Sequence, residues 1–506
     1  MKILLKQRKR LLGQITTAAL CAGMLQTSVA VAAPVVIHPP RDIMSLGSPT
    51  AGSIRSSMAR KSERAKGPQI LLFEIHALGR LEDIIIHNKT NLHDGVVLRQ
   101  LAFLKKGKPI SAKDVQRAAG LVTDLSGVIA DVVSEPGTAS GMAVLHVTVL
   151  PDESPRGDFS LDNYGNRYLG YGEAMFNYDI RNLTHEGDSL FAHIETTGHK
   201  YTNGTVMYRR PIGKNGLNMH IGYSHLQYSQ GEEFKWLKPH GMARTYTFGL
   251  EYPIHRSQTH DLKVGLNYEY LDLKDEYRRG ETYFPGPPIP TNAYTTWNDK
   301  HANAVTLSLS ERNLDKHGMT IWNLAYTYGH VSFDSPFTHT FFDNTNSEGS
   351  YSKLTGAFLR HQKLNKRLAL QLFARGQYVS RNMDTSGRMG ITGITGVKAY
   401  PISEVAGDHA YFTRAELQWD LPLKAKMQKL QLLTYLEHGG IQIFKSPVNN
   451  DKNHRHLQDI GIGLLWSKKD SWWVRADYAW KLGAEKPTSD TSHCNGHFWI
   501  QGGVFF

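Results

Sequence analysis

The feature that most constrains this chain is an alternation of apolar and polar residues that runs from Asp158 to Phe506. Successive side chains of an extended strand point to opposite faces, so this period of two predicts strands with one apolar and one polar face. The alternating segments are long, and breaks interrupt them about every 20 residues. They predict about sixteen antiparallel strands, an even number that is typical of bacterial outer-membrane barrels. The alternation is clearest in segments 217–224, 262–270, 322–329 and 472–480.

The charged residues of these segments occupy one face only, and this favours a membrane barrel with a wet lumen over a soluble β-sandwich. A sandwich has shorter strands and an outward face that is charged. A helical membrane protein is excluded, because no stretch of 18 uncharged apolar residues follows the amino terminus. In the segment after residue 407, the predicted lipid face carries Tyr411, Thr413, Ala415, Leu417 and Trp419, and the predicted lumen face carries Arg414, Glu416, Gln418 and Asp420.

The connections between the predicted strands alternate in length, which supports the barrel independently. Outer-membrane barrels have short periplasmic turns and long external loops. The last segment ends on an apolar face with Phe498, Ile500, Val504 and Phe506. Such a terminal strand resembles the signal that the barrel-assembly machinery reads during biogenesis. The short connections are 211–215, 313–316, 363–366 and 468–470, and the long ones are 231–240, 274–300, 334–350, 381–407 and 446–454.

The amino terminus has the pattern of an export signal. Residues 1–32 combine a basic head, an apolar middle and small residues before a cleavage point at Ala32/Ala33. An uncleaved membrane anchor is the alternative. Residues 33–69 are rich in Ser, Gly, Pro and Arg and are predicted to form a linker that could contain a plug helix. The exported chain would retain a single cysteine, Cys494, which excludes an intramolecular disulfide.

Residues 70–155 are predicted to form a small α+β domain in front of the barrel. A strand at Leu81–His87 precedes a helical stretch with Val97, Leu101 and Leu104. Ser111 and Asp114 then form a capping box for a second helix. Two strands, 128–134 and 142–150, complete the predicted order β-α-α-β-β. The whole chain is therefore predicted to be an all-β transmembrane barrel, residues 156–506, preceded by this α+β unit.

Four stretches resemble the two-partner secretion transporters, the haemolysin secretion and activation family, which share a superfamily with the barrel-assembly factors. Residues 106–110, 125–128 and 135–138 are similar to a polypeptide-transport-associated (POTRA) domain. Residues 161–170 with Gly187 and Asp188 resemble the first barrel hairpin of the family. Residues 396–400, with 407–408 and 414–417, resemble the loop that folds into the lumen. Residues 435–439 resemble the strand motif that faces this loop.

The resemblance implies a set of site residues around the lumen loop. The family's loop arginine pairs with an aspartate on the barrel wall, and the matching residues here are Lys398 and Glu437. Lysine lacks the bidentate fork of arginine, while glutamate is one methylene longer than aspartate, so we expect a compensated pair that pins the loop. The alternative is that Lys398 points into solvent. The full set is Val397, Lys398, Ala399 and Tyr400 in the loop, Glu437 and Gly439 on the wall, and Asp162, Asn163, Tyr164 and Gly165 in the first hairpin.

The resemblance also implies a secreted exoprotein as partner, captured in the periplasm by strand addition to the POTRA domain. We expect contacts along strand 128–133 and in the groove beside 115–122, which involve Val128, Val132, Val133, Val115 and Val122. Family members usually carry two POTRA domains, whereas this sequence has room for one. No nucleotide, cofactor, metal, catalytic residue or nucleic acid is expected. An outer-membrane insertase and a passive porin remain the alternatives.

Overall fold

The structure is a computed structural model that describes residues 72–278, apart from 233, 234, 236 and 237, and residues 294–335, 345–425, 427–448, 452–489 and 495–506. The predicted signal peptide and nearly all of the predicted linker lie outside the described residues. Among the described residues, no helix has the length and apolar character needed to cross a membrane.

The first folded unit is a four-stranded sheet covered on one face by two helices. Its core is apolar, and Leu81, Val97, Val122 and Leu145 are among its fully buried side chains. The predicted capping box is present, with Ser111 Oγ accepting from Asp114 N at 3.3 Å. The elements are β1 (Leu72–Ile75), β2 (Arg80–Asn88), α1 (Asp94–Gln100), α2 (Ala112–Thr123), β3 (Val128–Pro136) and β4 (Met142–Pro151), in the sheet order β1-β3-β4-β2.

Two sequence predictions for this unit need correction. The predicted order began with the strand at Leu81 and missed β1, a four-residue parallel partner of β3. Such a strand is too short to show an alternation. The predicted first helical stretch ends earlier than expected, because the helix stops at Gln100 and Leu104 lies beyond it.

Sixteen strands of the described chain close into one antiparallel barrel, as predicted. The barrel closes between its last and first strands, which pair Gln501 with Asp162 and Phe505 with Asp158 at the ends of the shared register. The strands are β5 (Gly157–Asp162), β6 (Glu173–Arg181), β7 (Ser189–Thr196), β8 (Tyr201–Pro211), β9 (Asn218–Ser229), β10 (His240–Arg256), β11 (His260–Arg278), β12 (Tyr294–Asp315), β13 (Gly318–Phe333), β14 (Gly349–Lys363), β15 (Leu368–Val379), β18 (His409–Leu421), β19 (Gln428–Gln442), β20 (His454–Lys468), β21 (Trp472–Leu482) and β22 (Gly496–Phe505).

The alternation divides the barrel strands into an apolar outside and a polar inside. On β18, Leu417 and Trp419 are exposed on the outer surface, whereas Glu416 and Gln418 are buried inside. At the carboxyl end of the chain, Phe498, Ile500, Val504 and Phe506 are likewise exposed outside. A belt of apolar side chains around a closed barrel fits a lipid bilayer. The predicted fold class is confirmed.

The predicted short connections lie at one end of the barrel and the predicted long ones at the other, but the predicted loop 274–300 differs from the structure. The hairpin of β11 and β12 continues to Arg278 and Tyr294, so that much of the predicted loop 274–300 is strand. The pairing of residues 274–278 with 294–299 includes a bulge after Asp275, which interrupts the strict alternation that the sequence prediction relied on.

The α+β unit docks on the short-turn end of the barrel through its helices. Asp124, which caps α2, accepts hydrogen bonds of 2.8 and 2.7 Å from Nε and the terminal nitrogen of Arg256 at the end of β10. Arg99 pairs with Glu186 at 2.5 Å. Gly216 N donates to Gln100 Oε1 at 2.7 Å. The helices therefore face the barrel, and the opposite face of the sheet points away from it.

The pair of Asp124 and Arg256 makes this docking dependent on pH in a defined direction. Burial opposes ionisation of Asp124, but the charge and hydrogen bonds of Arg256 outweigh it, so that the pKa of Asp124 is lowered. A lowered pKa stabilises the folded form above the usual pKa of aspartate, and this contribution disappears as pH falls through the lowered value. We therefore expect the docking to persist in mild acid and to weaken only in strong acid.

The substitution Asp124→Asn is expected to weaken the docking at neutral pH by about 1.5–3 kcal/mol, the usual range for hydrogen bonds to a charged group. Hydrogen exchange measured by mass spectrometry should show faster exchange at the end of α2 and in residues 256–260. The variant should also lose the increase in hydrogen exchange that we expect the parent protein to show in strong acid. Unchanged exchange in both segments would show that this pair does not hold the domain in place.

Candidate functional site: the lumen loop

The connection between β15 and β18, residues 380–408, folds into the barrel and is largely buried. It contains a 3-10 turn, Thr385–Gly387, and a two-residue ladder of β16 (Met389–Gly390) and β17 (Ala406–Gly407). Its apolar residues pack on the inner wall of β18 to β21. We call residues 380–408 the lumen loop. The buried apolar residues of the loop are Met389, Ile391, Val397, Ala399, Tyr400 and Val405, and those of the wall are Ala410, Phe412, Tyr435, Ile441, Leu457 and Ala479.

Lys398 and Glu437 meet at the centre of this contact. Their side chains are 1% and 0% exposed, and the Lys398 ammonium forms an ion pair with Glu437 Oε1. The other carboxylate oxygen accepts the backbone N–H of Lys398 at 2.9 Å. The ammonium also lies 3.9 Å from the ring centre of Tyr435, as in a cation–π contact. The structure thus brings together the two residues that the family resemblance paired, and Lys398 does not point into solvent.

A second carboxylate and an indole, neither of which the sequence analysis identified, complete this anchor. Asp459 lies opposite Glu437 in the register of β19 and β20, and it accepts the backbone N–H of Ala399 at 2.7 Å. Trp499 Nε1 donates to the carbonyl of Lys398 at 2.8 Å. The wall therefore binds two consecutive amides and one carbonyl of the loop. An acidic residue on the inward face of β20 was the available signal, but linking it to the loop required the register.

Gly439 allows the loop to approach the wall closely. A side chain at this position would place its Cβ 3.0 Å from Ile391 Cδ1 and 3.3 Å from Val397 Cγ2. Tyr400, next to this contact, is fully buried and donates its hydroxyl to the carbonyl of Glu485 at 3.1 Å. The conformation of residues 391–400 therefore depends on the absence of a side chain at position 439.

The substitution Gly439→Val is expected to displace the loop, because an overpacked contact of this kind typically costs about 1–3 kcal/mol. The loop should become accessible to protease added outside the cell, while the barrel remains folded. Gly376→Val is a matched control, since a Cβ at Gly376 meets the nearest backbone atom only at 3.4 Å. Equal protease resistance of the loop in both variants would contradict the packing role of Gly439.

The first-hairpin residues lie at the seam of the barrel and reach the loop through Trp499. Asn163 exchanges hydrogen bonds with the last strand, accepting from Ile500 N at 2.8 Å and donating to the carbonyl of Phe498 at 2.9 Å. Asp162 accepts from Tyr164 N at 2.9 Å. The ring of Tyr164 stacks edge-on against Trp499 with centres 5.8 Å apart. The structure thereby connects the first hairpin, the final strand and the loop motif.

Gly165, the last residue of the first-hairpin motif, has a separate role. A Cβ there would lie 1.9 Å from the carbonyl oxygen of Gly170. The Gly165 N–H donates to the carbonyl of Tyr171 at 3.0 Å. The glycine therefore permits the tight return of the connection between β5 and β6.

Glu404 anchors the far end of the lumen loop to the surface loop between β21 and β22. Its buried carboxylate pairs with Arg455 at 2.8 Å. It also accepts the backbone N–H groups of Thr488 at 2.7 Å and Ser489 at 2.9 Å, as well as both hydroxyls. The surface segment 485–489 is thereby fixed over the lumen loop.

A network of charged side chains lines the wall beside the anchor. Arg475 pairs with Glu416 at 3.1 Å and with Asp477 at 2.7 Å. Arg414 lies 3.6 Å from Glu437. Buried carboxylates in such a site require cationic partners. The inward position of Arg414 and Glu416 agrees with the sequence prediction, and the network fills this side of the lumen.

The predicted client-binding valines are placed differently by the structure. Val115, Val122, Val128 and Val132 are buried in the core of the α+β unit. Their side chains are therefore not accessible to a client in this structure, and the predicted client contacts along these elements stay a prediction. The predicted groove along α2 is also restricted, because Leu121 packs against Gly216 of a barrel turn. Val133 lies on the opposite sheet face with Ile85, Val144 and His146, which are partly or fully accessible.

The arrangement holds a long loop in a defined position across the inside of a membrane barrel. Among the described residues, no group of three or more His, Cys, Asp or Glu side chains is arranged to hold a metal ion. The lumen loop is held against the barrel wall by ion pairs, amide hydrogen bonds and apolar packing.

Comparison with known proteins identifies the family. Residues 141–464 match the family model described as haemolysin secretion/activation protein ShlB/FhaC/HecB, and this range is more than half of the chain. The chain belongs to this family. As a haemolysin secretion/activation family member it is an outer-membrane transporter that translocates a partner exoprotein, with the barrel described above as its membrane part.

Individual relatives agree with this assignment to the haemolysin secretion/activation family. The chain is 22% identical over 429 residues to the heme/hemopexin transporter protein HuxB of Haemophilus influenzae strain 86-028NP, which covers 83% of this chain and 73% of the relative. CdiB from Escherichia coli superimposes with a TM-score of 0.68 at 15% identity, over 85% of this chain and 76% of that chain. BamA from Haemophilus ducreyi lacking POTRA domains 1–3 gives 0.53 at 13% identity, over 85% of both chains. The two structural likenesses show the shared fold.

Proposed function

We propose that residues 70–155 act as a POTRA domain, which captures an unfolded exoprotein in the periplasm and delivers it to the barrel of residues 156–506. The observation that carries this proposal is that a folded domain and a pinned internal loop occur on the same barrel. The α+β unit is docked on the short-turn end, and the lumen loop is pinned inside by Lys398 and Glu437. A transporter whose exoprotein folds only after it leaves the cell needs a domain that binds the unfolded exoprotein in the periplasm. It also needs a loop that closes the barrel and can move aside.

Capture would use the outward side of the sheet rather than its core. β1 and β2 are the edge strands, and β3 lies between β1 and β4. An extended segment that adds to an edge strand gains main-chain hydrogen bonds, while side-chain pockets supply specificity. Ile85 on β2, which is 39% exposed, Val144 on β4 and Val133 on β3 offer apolar side chains on this face for such a segment, with His146 between Ile85 and Val133. Of the predicted client residues, we retain Val133.

Translocation would require the lumen loop to leave its closed position. Separating a buried charge pair typically costs about 3–5 kcal/mol, and a wet lumen lowers this cost. Binding of the client can supply a free energy of this size without nucleotide hydrolysis, provided that the client binds the open state more tightly. We propose that the protein carries out no catalytic reaction, that folding of the exoprotein outside the cell gives direction, and that lipid and the barrel-assembly machinery are its other partners.

The experiment that tests this proposal removes the α+β unit. Deletion of residues 72–151 is expected to abolish export of a co-expressed partner exoprotein, measured as exoprotein in the medium. The barrel should still assemble, which heat-dependent migration in gels and outer-membrane fractionation would show. Export at the parental level from an assembled, truncated barrel would contradict the proposed role of the domain.

A substitution tests the capture surface without removing the domain. Val133→Glu is expected to reduce export strongly, because it replaces the apolar side chain between Glu74 and His146 on the outward sheet face with a second carboxylate. Asp131→Glu, on the same face and strand, is the matched control and should export normally. Equal export by both variants would show that this face does not contact the client.

A further inference from the structure

The lumen loop leaves one part of the barrel interior open. Among the described residues, a cavity lies between the loop and the inner faces of β9 to β14, away from the wall that carries Glu437. Small side chains form much of this wall, including Ser224, Thr245, Ala304 and Thr327. The two sides of the lumen therefore differ: β18 to β21 carry the charged network and the apolar loop contact, whereas the described residues do not fill the space beside β9 to β14.

The charges that face the cavity are balanced. Glu269 on β11 and Lys353 on β14 both line it. An anionic and a cationic side chain in the same space present no strong preference for either sign of charge. An unfolded polypeptide of varied sequence needs such a passage, because a wall of a single sign would hold segments of the opposite sign and repel the others.

The outer end of the cavity is closed by the first part of the lumen loop. Met383, which is 2% exposed, packs with Val331 and Tyr351 of the strands. The next residue, Asp384, accepts a hydrogen bond of 2.5 Å from the ammonium of Lys300 on β12, and both side chains are at most 5% exposed. Asp384 also accepts the N–H of Ser386 at 2.9 Å, which fixes the 3-10 turn across the cavity.

This closure is separate from the anchor at Lys398. Asp384 is held by β12, whereas Lys398 is held by β19 on another part of the barrel wall. The loop is also fastened at Glu404, and of these fastenings it is the pair of Asp384 and Lys300 that covers the cavity. An ion pair that joins a connection to a strand can break without disturbing the barrel strands themselves.

We propose that the exoprotein passes along the β9–β14 wall through this cavity, and that Lys300 and Asp384 form its outer gate. The occupant is an extended, unfolded polypeptide segment. Its width in the hydrogen-bonding direction is about 5 Å, the spacing of neighbouring strands, and displacement of Asp384 and the turn behind it would widen the cavity along the small side chains of this wall to admit it. The inference rests on the proposed function for the identity of the cargo, but the path and the gate are properties of the barrel.

The gate is tested on the full-length protein in planar lipid bilayers, with potassium chloride as the probe. Asp384→Asn and Lys300→Met are each expected to raise the mean conductance severalfold. The exchange variant that combines Lys300→Asp with Asp384→Lys restores the pair and should return the conductance toward the parental value. Unchanged conductance in both single variants would overturn the gate, provided that heat-dependent migration shows folded barrels.

The path is tested with single cysteines in a Cys494→Ser background. A positively charged methanethiosulfonate reagent should lower the conductance of Asp384→Asn channels strongly when the cysteine replaces Thr245 or Ala304. Gln418→Cys on the opposite wall is the control, because Gln418 is 3% exposed and bonded to Glu416. Equal block at both walls, or block only at position 418, would overturn the assigned path.

These results separate the inference from the proposed function. The conductance experiments contain no exoprotein. If the conductance does not change as expected but the cells still secrete the exoprotein normally, the path and the gate are rejected and the proposed function is not. Gate variants that conduct as expected in a strain that never exports the exoprotein would instead reject the proposed function.

Discussion

Replacing Glu437 by alanine is expected to reduce export of the partner exoprotein severely while the barrel still assembles, because the lumen loop then lacks the defined closed position from which the client displaces it. The substitution leaves the Lys398 ammonium buried without its counter-charge and removes the acceptor of the Lys398 backbone N–H. The loss of one partner of a buried pair typically costs about 3–5 kcal/mol, less where water enters the lumen. Exoprotein in the medium measures the effect, and protease sensitivity of residues 380–408 measures the displacement of the loop.

Two further variants separate the charge of Glu437 from its hydrogen bond. Glu437→Gln keeps an oxygen that can accept the backbone N–H, so that export should be reduced less than in Glu437→Ala. The exchange of Lys398→Glu with Glu437→Lys should recover only part of the export, because a lysine at 437 restores the ion pair but cannot accept the N–H of residue 398. Export at the parental level by Glu437→Ala would show that the pair of Lys398 and Glu437 is not needed for export.

Lys398→Arg serves as the conservative control for the same site. Among the described residues, the second oxygen of Asp459, Oδ1, is buried without a hydrogen-bond partner. A guanidinium has the fork geometry to reach two carboxylates, whereas an ammonium is a point charge. We therefore expect Lys398→Arg to export at the parental level or above.

The second large effect is expected on the lipid face of β12, where the substitution Leu307→Arg should prevent assembly of the barrel. Leu307 is 54% exposed on the outer surface, between the apolar residues Val305 and Leu309. An arginine at the bilayer midplane typically costs about 2–4 kcal/mol. The folded fraction in the outer membrane, measured by heat-dependent migration, should fall accordingly.

The neighbouring residue provides a matched control for this prediction. Ser308 points into the lumen, where an arginine can remain hydrated, so that Ser308→Arg should assemble at nearly the parental level. A barrel that accepted arginine equally at 307 and 308 would not have the sidedness described here.

The sequence alone predicted the features that depend on local pattern. The alternation at residues 411–420 located the outside and the inside of a strand that the structure shows in the same orientation. Four of the five predicted client residues have buried side chains, for a reason that the same pattern contains. Val132 and Val133 are consecutive on a strand and must face opposite sides, so that the core could hold one and the client the other. The prediction assigned client contacts to residues on both faces of the strand and therefore ignored this alternation.

The remaining features depend on contacts between distant parts of the chain. Asp384 and Lys300 are 84 residues apart, and Trp499 reaches a carbonyl 101 residues away from it. Such contacts follow from the register of the barrel and from the path of the lumen loop, neither of which a single sequence fixes. The family resemblance supplied Lys398 and Glu437 because their motifs are local, and it was silent on Asp459 and Glu404.

The most direct test of the central claim measures the partner exoprotein itself. Cells that express a partner exoprotein are compared with and without the full-length transporter, and the exoprotein is quantified in the medium and on the cell surface. We predict export only in the presence of the transporter, with the exoprotein degraded in the periplasm in its absence. Equal amounts outside both kinds of cell would contradict the account.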